Sequence, residues 1–238
     1  FTVLLSILGV LLVIFLIIIL VVYKLAFFCP KRSHDDIYVL PKQDAYKPLC
    51  DKINVMIKEL DSVSYEPVYI KSHDNKKLFA RFYYFEDNAP VAICFHGWHG
   101  SAIRDFCGGT KLLFELKYNV LIVDQRGQWN SQGHTISFGI KERFDVLSWI
   151  NYVKERFGND VKISLYGVSM GSATVLMSTA LNLPSNVKAI IADCPYTSGK
   201  DIIKKVCKND MKLPYAVLKP FIFASAFILA HFNLNDKN

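Results

Sequence analysis

The first 23 residues, "FTVLLSILGVLLVIFLIIILVVY", carry no charge, and Lys24 ends the run. No other stretch restricts the fold as much. At about 1.5 Å per residue it makes a helix of roughly 34 Å, enough to cross a ~30 Å hydrocarbon core. A secretory signal is the competing reading, but its apolar region would be only about 7–15 residues, followed by small residues at a cleavage site. Here "KLAFFCPKR" puts Phe27 and Phe28 where small residues would be needed, and the same two rings argue against lipid attachment at Cys29. The expectation is a retained single-pass transmembrane helix over 1–23, a linker over 24–42 and a folded body over 43–238. Lys24, Lys31 and Arg32 follow the span, which by the positive-inside rule points the body toward the cytoplasm.

The anchor accounts for the excess in a hydrophobic content of 52%. What remains suffices for one domain of ordinary size. The net charge of +7 is spread along the chain rather than gathered in a basic block. Lys and Arg alternate with Asp and Glu in stretches such as "KERFDVLSWINYVKERF", a pattern of solvated helix faces that implies no nucleic-acid partner. The six cysteines show no CxxC spacing and read as free, mostly buried thiols.

Beyond the anchor the hydrophobic pattern changes several times. "QDAYKPLCDKINVMIKEL" is helix-like and is expected on the outside of the body. "EPVYIKS" and "KKLFARFYYFE" have strand character, and "HDN" between them, with Asp74-Asn75, fits a hairpin turn. "VAICFH", "NVLIVD", "VKISLYG" and "VKAIIAD" are short runs rich in Val and Ile, as in strands buried on both faces of a parallel sheet. Between them Ile140, Phe144, Leu147, Ile150, Val153 and Phe157 keep helical spacing up to Gly158, and Ala173, Leu176, Met177 and Ala180 form a second stripe. Ser198-Gly-Lys-Asp201 resembles a capping box. The expectation is an α/β fold of six strands, mostly parallel with an antiparallel first pair, and helices on both faces.

Chemistry concentrates in "LYGVSMGSATVL". Gly167-Val168-Ser169-Met170-Gly171 matches G-x-S-x-G, in which a tight strand-to-helix turn projects a hydroxyl outside the carboxyl end of the sheet. A side chain at either glycine would collide with the turn or the next strand. The Met170 N–H opens the following helix, where amides lack partners and the dipole favours negative charge. Alone, the motif is also consistent with a small-residue turn. A second element supports it: "HGWHGS" follows the strand "VAICF", where the Trp98 N–H would complete a pair of oxyanion donors with Met170. Losing one such donor typically costs about 2.7–4 kcal/mol of transition-state stabilisation. His96 and His99 lack carboxylate or thiolate partners at metal spacing, so no metal site is expected. His96 is expected to pack beneath the loop and bond to backbone.

With "VDQRGQWNSQGHTISFG" and "AIIADCPYTS" added, four ordered motifs over roughly residues 60–210 make the chain resemble the α/β-hydrolase superfamily. The likeness is nearest to its membrane-anchored bacterial serine hydrolases, akin to BEM46-like and prolyl-oligopeptidase-like members. The resemblance implies a membrane-anchored serine hydrolase that cleaves an ester, thioester or amide through an acyl-Ser169 intermediate. The Trp98 and Met170 amides would hold the oxyanion. No cofactor is implied, and the substrate would be a small-molecule or lipid-like acyl compound. Asp124 and Arg126 would brace a strand end. The family places an acid and then a histidine after the serine, on strands that are not evident after Asp193. His231 follows helix-like sequence, and Asp193 lies in what resembles a structural turn. The chain is therefore expected to be a piece cut at both ends, with an incomplete sheet and with 209–235 as a possible lid. Without a base nearby, a serine hydroxyl is a weak nucleophile. A catalytically inactive scaffold that binds a ligand or partner at the membrane is the alternative, and an acyltransferase or haloperoxidase-like use of the same serine is a third.

Overall fold

The uncharged run folds as one helix, α1 (Thr2–Ala26), in a computed structural model that describes residues 1–40 and 44–236. The helix is long and apolar enough to cross a membrane, and Ile19 is its only buried residue. It runs three residues past the expected limit at Tyr23. The Lys24 ammonium folds back over the Phe28 ring, 3.6 Å from its centroid, which covers the charge with an aromatic face.

The segment expected as a linker is held to the body. Phe27 is fully buried against the rings of Phe138 at 6.1 Å and Phe232 at 5.3 Å. The Ile136 N–H donates to the Phe27 carbonyl at 2.8 Å, and the Cys29 N–H to the His134 carbonyl at 2.8 Å. A single turn of 3₁₀ helix, His34–Tyr38, follows, opened by a reciprocal cap between Ser33 and Asp36. The expected boundary between 42 and 43 lies outside the described residues.

A 3₁₀ stretch, Asp44–Leu49, leads into α2 (Cys50–Ser62). The strands β1 (Glu66–Lys71) and β2 (Lys77–Tyr83) pair antiparallel through a turn in which Asn75 takes the left-handed conformation, φ 60°. Then come β3 (Val91–Phe95), α3 (Ala102–Glu115), β4 (Asn119–Asp124), α4 (Glu142–Phe157), β5 (Ile163–Val168), α5 (Met170–Ser178) and β6 (Val187–Asp193). The sheet order is β1-β2-β4-β3-β5-β6. Pairings among β3 to β6 are parallel, while β2 also runs antiparallel to β4. The α/β architecture expected from the apolar runs is the one observed.

Helices cover both faces of the sheet. On one, Val146, Trp149, Ile150 and Val153 of α4 and Val175 of α5 pack on Ile93, Phe95, Leu121 and Leu165. On the other, Ile57 and Leu60 of α2 and Ile103, Phe106 and Leu113 of α3 pack on Ala92, Cys94 and Ile122. Helix α3 was not anticipated from the sequence. Gly108 and Gly109 sit in its middle, and each lowers local helix preference by roughly 1 kcal/mol, which the buried face offsets. β6 forms one edge of the sheet and remains largely accessible, with Ile191 43% exposed.

The stretch after β6 folds as α6 (Gly199–Lys205), a wider π turn over Val206–Asp210, and α7 (Tyr215–Ile228). Helix α7 occupies the expected lid region and leans on α1, with the Phe221 ring 5.7 Å from that of Phe15.

Candidate active site

Ser169 stands where β5 breaks into α5. Its backbone has φ 53° and ψ −109°, a strained conformation for a residue with a side chain, costing on the order of 1–3 kcal/mol. The surroundings enforce it. The Ser169 N–H donates to the Asp193 carbonyl at 2.8 Å, and its own carbonyl accepts from the Ala173 N–H at 3.1 Å and the Ser172 hydroxyl at 2.5 Å. Both flanking glycines are required by close approach. A Cβ on Gly171 would fall 1.9 Å from the Phe95 carbonyl oxygen, and one on Gly167 would fall 2.4 Å from that of Gly171. The hydroxyl is thereby presented in the open, on an otherwise buried turn.

The loop after β3 comes up beside it: a Cβ placed on Gly97 would stand 3.4 Å from the Ser169 Cβ. Asp105 of α3 holds this loop by accepting the Gly97 N–H at 2.8 Å, and the Trp129 indole N–H donates to the Gly100 carbonyl at 2.6 Å. With the Gly97 amide occupied, the Trp98 N–H is the next donor along the loop, and it makes no backbone hydrogen bond among the described residues. Met170 N–H is the first amide of α5, one of those a helix leaves without a carbonyl partner. The Met170 side chain is fully buried against Cys29 and Ile136, so the residues just after α1 pack beneath the serine turn.

The histidines are occupied elsewhere. His96 is fully buried; its Nδ1 lies 2.8 Å from the Gly97 carbonyl, and its Nε2 accepts the Gln125 N–H at 3.1 Å. The Gln125 side-chain amide also donates to the His96 carbonyl. Burial lowers the His96 pKa, so the neutral ring serves as a rivet between β3 and β4. His99 accepts from the Arg32 guanidinium at 3.3 Å, and burial, reinforced by that cation, pushes its pKa down to about 4. His231 lies in a separate shallow groove with Phe227 and Asn233. None of the three lines the cavity that Ser169 faces. Asp193 meets the serine turn through its backbone, while its exposed carboxylate lies 3.1 Å from the Cys194 sulfur.

Asp124 and Arg126 are structural in the sense expected. Asp124 is buried and accepts from the Asn130 backbone and side chain. Arg126 forks onto Asp145 at 2.6 and 2.5 Å and onto Asp74 at 3.0 and 3.2 Å, joining the β1–β2 turn to α4. Burial alone would lower the Arg126 pKa; its bonds to Asp145 more than reverse that, and the guanidinium stays charged. His73, Asp74 and Asp145 come close enough together to suggest a metal site, but Arg126 already supplies the positive charge at both carboxylates.

Ser169 and Trp98 both line a cavity of about 520 Å³. Sequence reasoning missed its other walls. Phe138 comes from the loop after β4, Tyr196 from the turn after β6, and Ile202, Ile203 and Val206 from α6 and its π turn. Val22, Leu25 and Ala26 of α1 close one side, and Leu218 and Ile222 of α7 another. The apolar composition of 209–235 signalled a cover of some kind; nothing local signalled that the first helix contributes to it.

The profile described as alpha/beta hydrolase fold matches residues 90–230. Among solved structures, the Pyrococcus furiosus esterase Pf2001 superposes with a TM-score of 0.57 and 26% identity, over 71% of this chain and 68% of that one. The alpha/beta hydrolase GrgF from Penicillium sp. sh18 shares the fold at 20% identity and a TM-score of 0.52, over 63% and 53% of the two chains. The uncharacterized protein YqkD of Bacillus subtilis (strain 168) is 29% identical over 109 residues, which is 46% of this chain and 36% of that protein. The matched region thus spans little more than a third of this curated relative.

Proposed function

The chain belongs to the alpha/beta hydrolase fold family, and on that premise we propose that it is a membrane-anchored serine hydrolase acting on an ester, thioester or amide. The observation that carries the reading is the strained turn at Ser169, which brings that serine into the lining of an apolar cavity. Ser169 Oγ bonds to the acyl carbon while its proton passes to a base. The leaving alcohol, thiol or amine departs with a proton, and water then releases the acid from the acyl-serine. The Trp98 and Met170 amides would stabilise the negative oxygen that forms on the way. Likeness to an esterase supports the acyl chemistry. The span α1 holds the body at the membrane, and Lys24, Lys31 and Arg32 favour the cytoplasmic side.

One observation favours a second reading, an inactive binding scaffold: among the described residues no histidine lines the cavity with Ser169. A single experiment separates the two. In membranes containing the native protein, a fluorophosphonate probe is expected to label Ser169, and Ser169→Ala is expected to abolish both labelling and short-chain ester hydrolysis. Unlabelled Ser169 together with absent hydrolysis would establish the scaffold. Hydrolysis that persists in the alanine variant would show a different nucleophile.

A further inference from the structure

The last turn of the membrane-spanning helix is a wall of the cavity that contains Ser169. Val22, Leu25 and Ala26 line the same space as Ser169, and Leu218 and Ile222 of α7 line it with them. Helix α7 also runs beside the span. Its Phe221 meets Phe15, eleven residues before Ala26, which is about 16 Å along α1 and well inside a ~30 Å apolar layer. The outward side of α7 is apolar at Val217, 63% exposed, and Phe227, 70% exposed, with one charge among them, Lys219, whose ammonium lies 5.8 Å from the Phe223 ring. Water therefore need not separate the cavity from lipid.

The lining also selects a chemical class. Among the described residues Asp210 is its only charged residue, and none of the lysines, arginines or histidines described lines it to hold a carboxylate or phosphate. Tyr196 adds its ring to the wall, while its hydroxyl is buried and has no hydrogen-bond partner among the described residues. We propose that α7 shares the bilayer with α1 and that the cavity between them takes the long acyl chain of a neutral, membrane-resident ester directly from the leaflet. The anchor is then part of the substrate site as well as a tether. This deepens the hydrolase reading and rests on it for the role of Ser169, but not for the binding itself.

The test uses the native protein in phosphatidylcholine vesicles with a non-hydrolysable long-chain alkyl glycerol ether bearing a terminal diazirine. After irradiation, adducts competed by excess long-chain monoacylglycerol, and not by a butanoyl ester, are expected on residues 22–26 and 213–222. Ala26→Trp, which fills the cavity, is expected to cut that competable labelling at least tenfold. Leu8→Trp, on the lipid-facing part of α1, is not. Because wild type alone reports the position of the adducts, the result stands even where Ala26→Trp misfolds. Adducts confined to the first half of α1, or adducts that no long-chain competitor removes, would overturn the proposal. Fluorophosphonate labelling of Ser169 is scored in the same samples. Its failure with competable photolabelling retained overturns the hydrolase reading alone, and the converse overturns this proposal alone.

Discussion

Asp74 shows how single charges brace this site from a distance. It sits in the β1–β2 turn, where burial tends to raise its pKa but the Ser72 hydroxyl at 2.5 Å and the Arg126 fork lower it further, holding the carboxyl well below the usual carboxylate range. A folded-state pKa below the unfolded value, about 3.9 for Asp, means that the ionised form stabilises the fold in full above that value. The contribution fades as pH falls below it toward the folded value. Asp74→Asn is therefore expected to destabilise at neutral pH by on the order of 1–2 kcal/mol, and the gap from wild type is expected to close between about pH 5 and 2. Thermal melts in detergent across that range check it, and a gap that widens on acidification would contradict the assignment. Ser169 itself was legible as a residue, because G-x-S-x-G requires two glycines, and here each meets a carbonyl too closely to carry a Cβ. The occupation of His96 was legible only in part. Its burial follows from the apolar run before it, but its bond to the Gln125 amide depends on β4 lying alongside β3.

Helix α6 illustrates how much of the cavity depends on one short element. It has seven residues, too few to persist without its cap and its packing. The Ser198 hydroxyl accepts the Asp201 N–H at 3.1 Å and donates to the Asp201 carboxylate at 2.7 Å. Ser198→Ala is expected to cost about 1 kcal/mol and to speed amide exchange across 199–205, loosening the wall formed by Ile202 and Ile203. Unchanged exchange there would mean that packing alone holds the helix. Four of the six strands were legible because short Val/Ile runs between turn signals leave few other solutions, and the first two because a turn at Asp74-Asn75 joins two stretches of strand character. Their order across the sheet was not, since neighbours are set by crossovers between distant segments. The linker reading failed to anticipate Phe27, whose partners Phe138 and Phe232 are far away in sequence.

For the molecule as a whole, the proposed anchor α1 would decide where the body resides. With a single fully buried side chain, it leaves most of its apolar side chains exposed, a state that lipid stabilises and water does not. The protein is expected to stay in the pellet through alkaline carbonate extraction, and a chain starting at Lys24 is expected to lose that retention at least in part. Release of the intact protein would show that α1 lies outside the bilayer. The seam at Phe27, Phe28 and Cys29 has a further consequence. With Phe28 bridged to Thr135 and the next backbone bonds running to His134 and Ile136, the body cannot swivel freely about its helix. If α1 spans the bilayer as proposed, a serine held at fixed height and heading would sweep a plane rather than a volume, and its encounters would follow the mole fraction of substrate in the surface. Adding inert lipid at constant bulk substrate would then slow turnover, while diluting the whole suspension would leave the rate per protein unchanged.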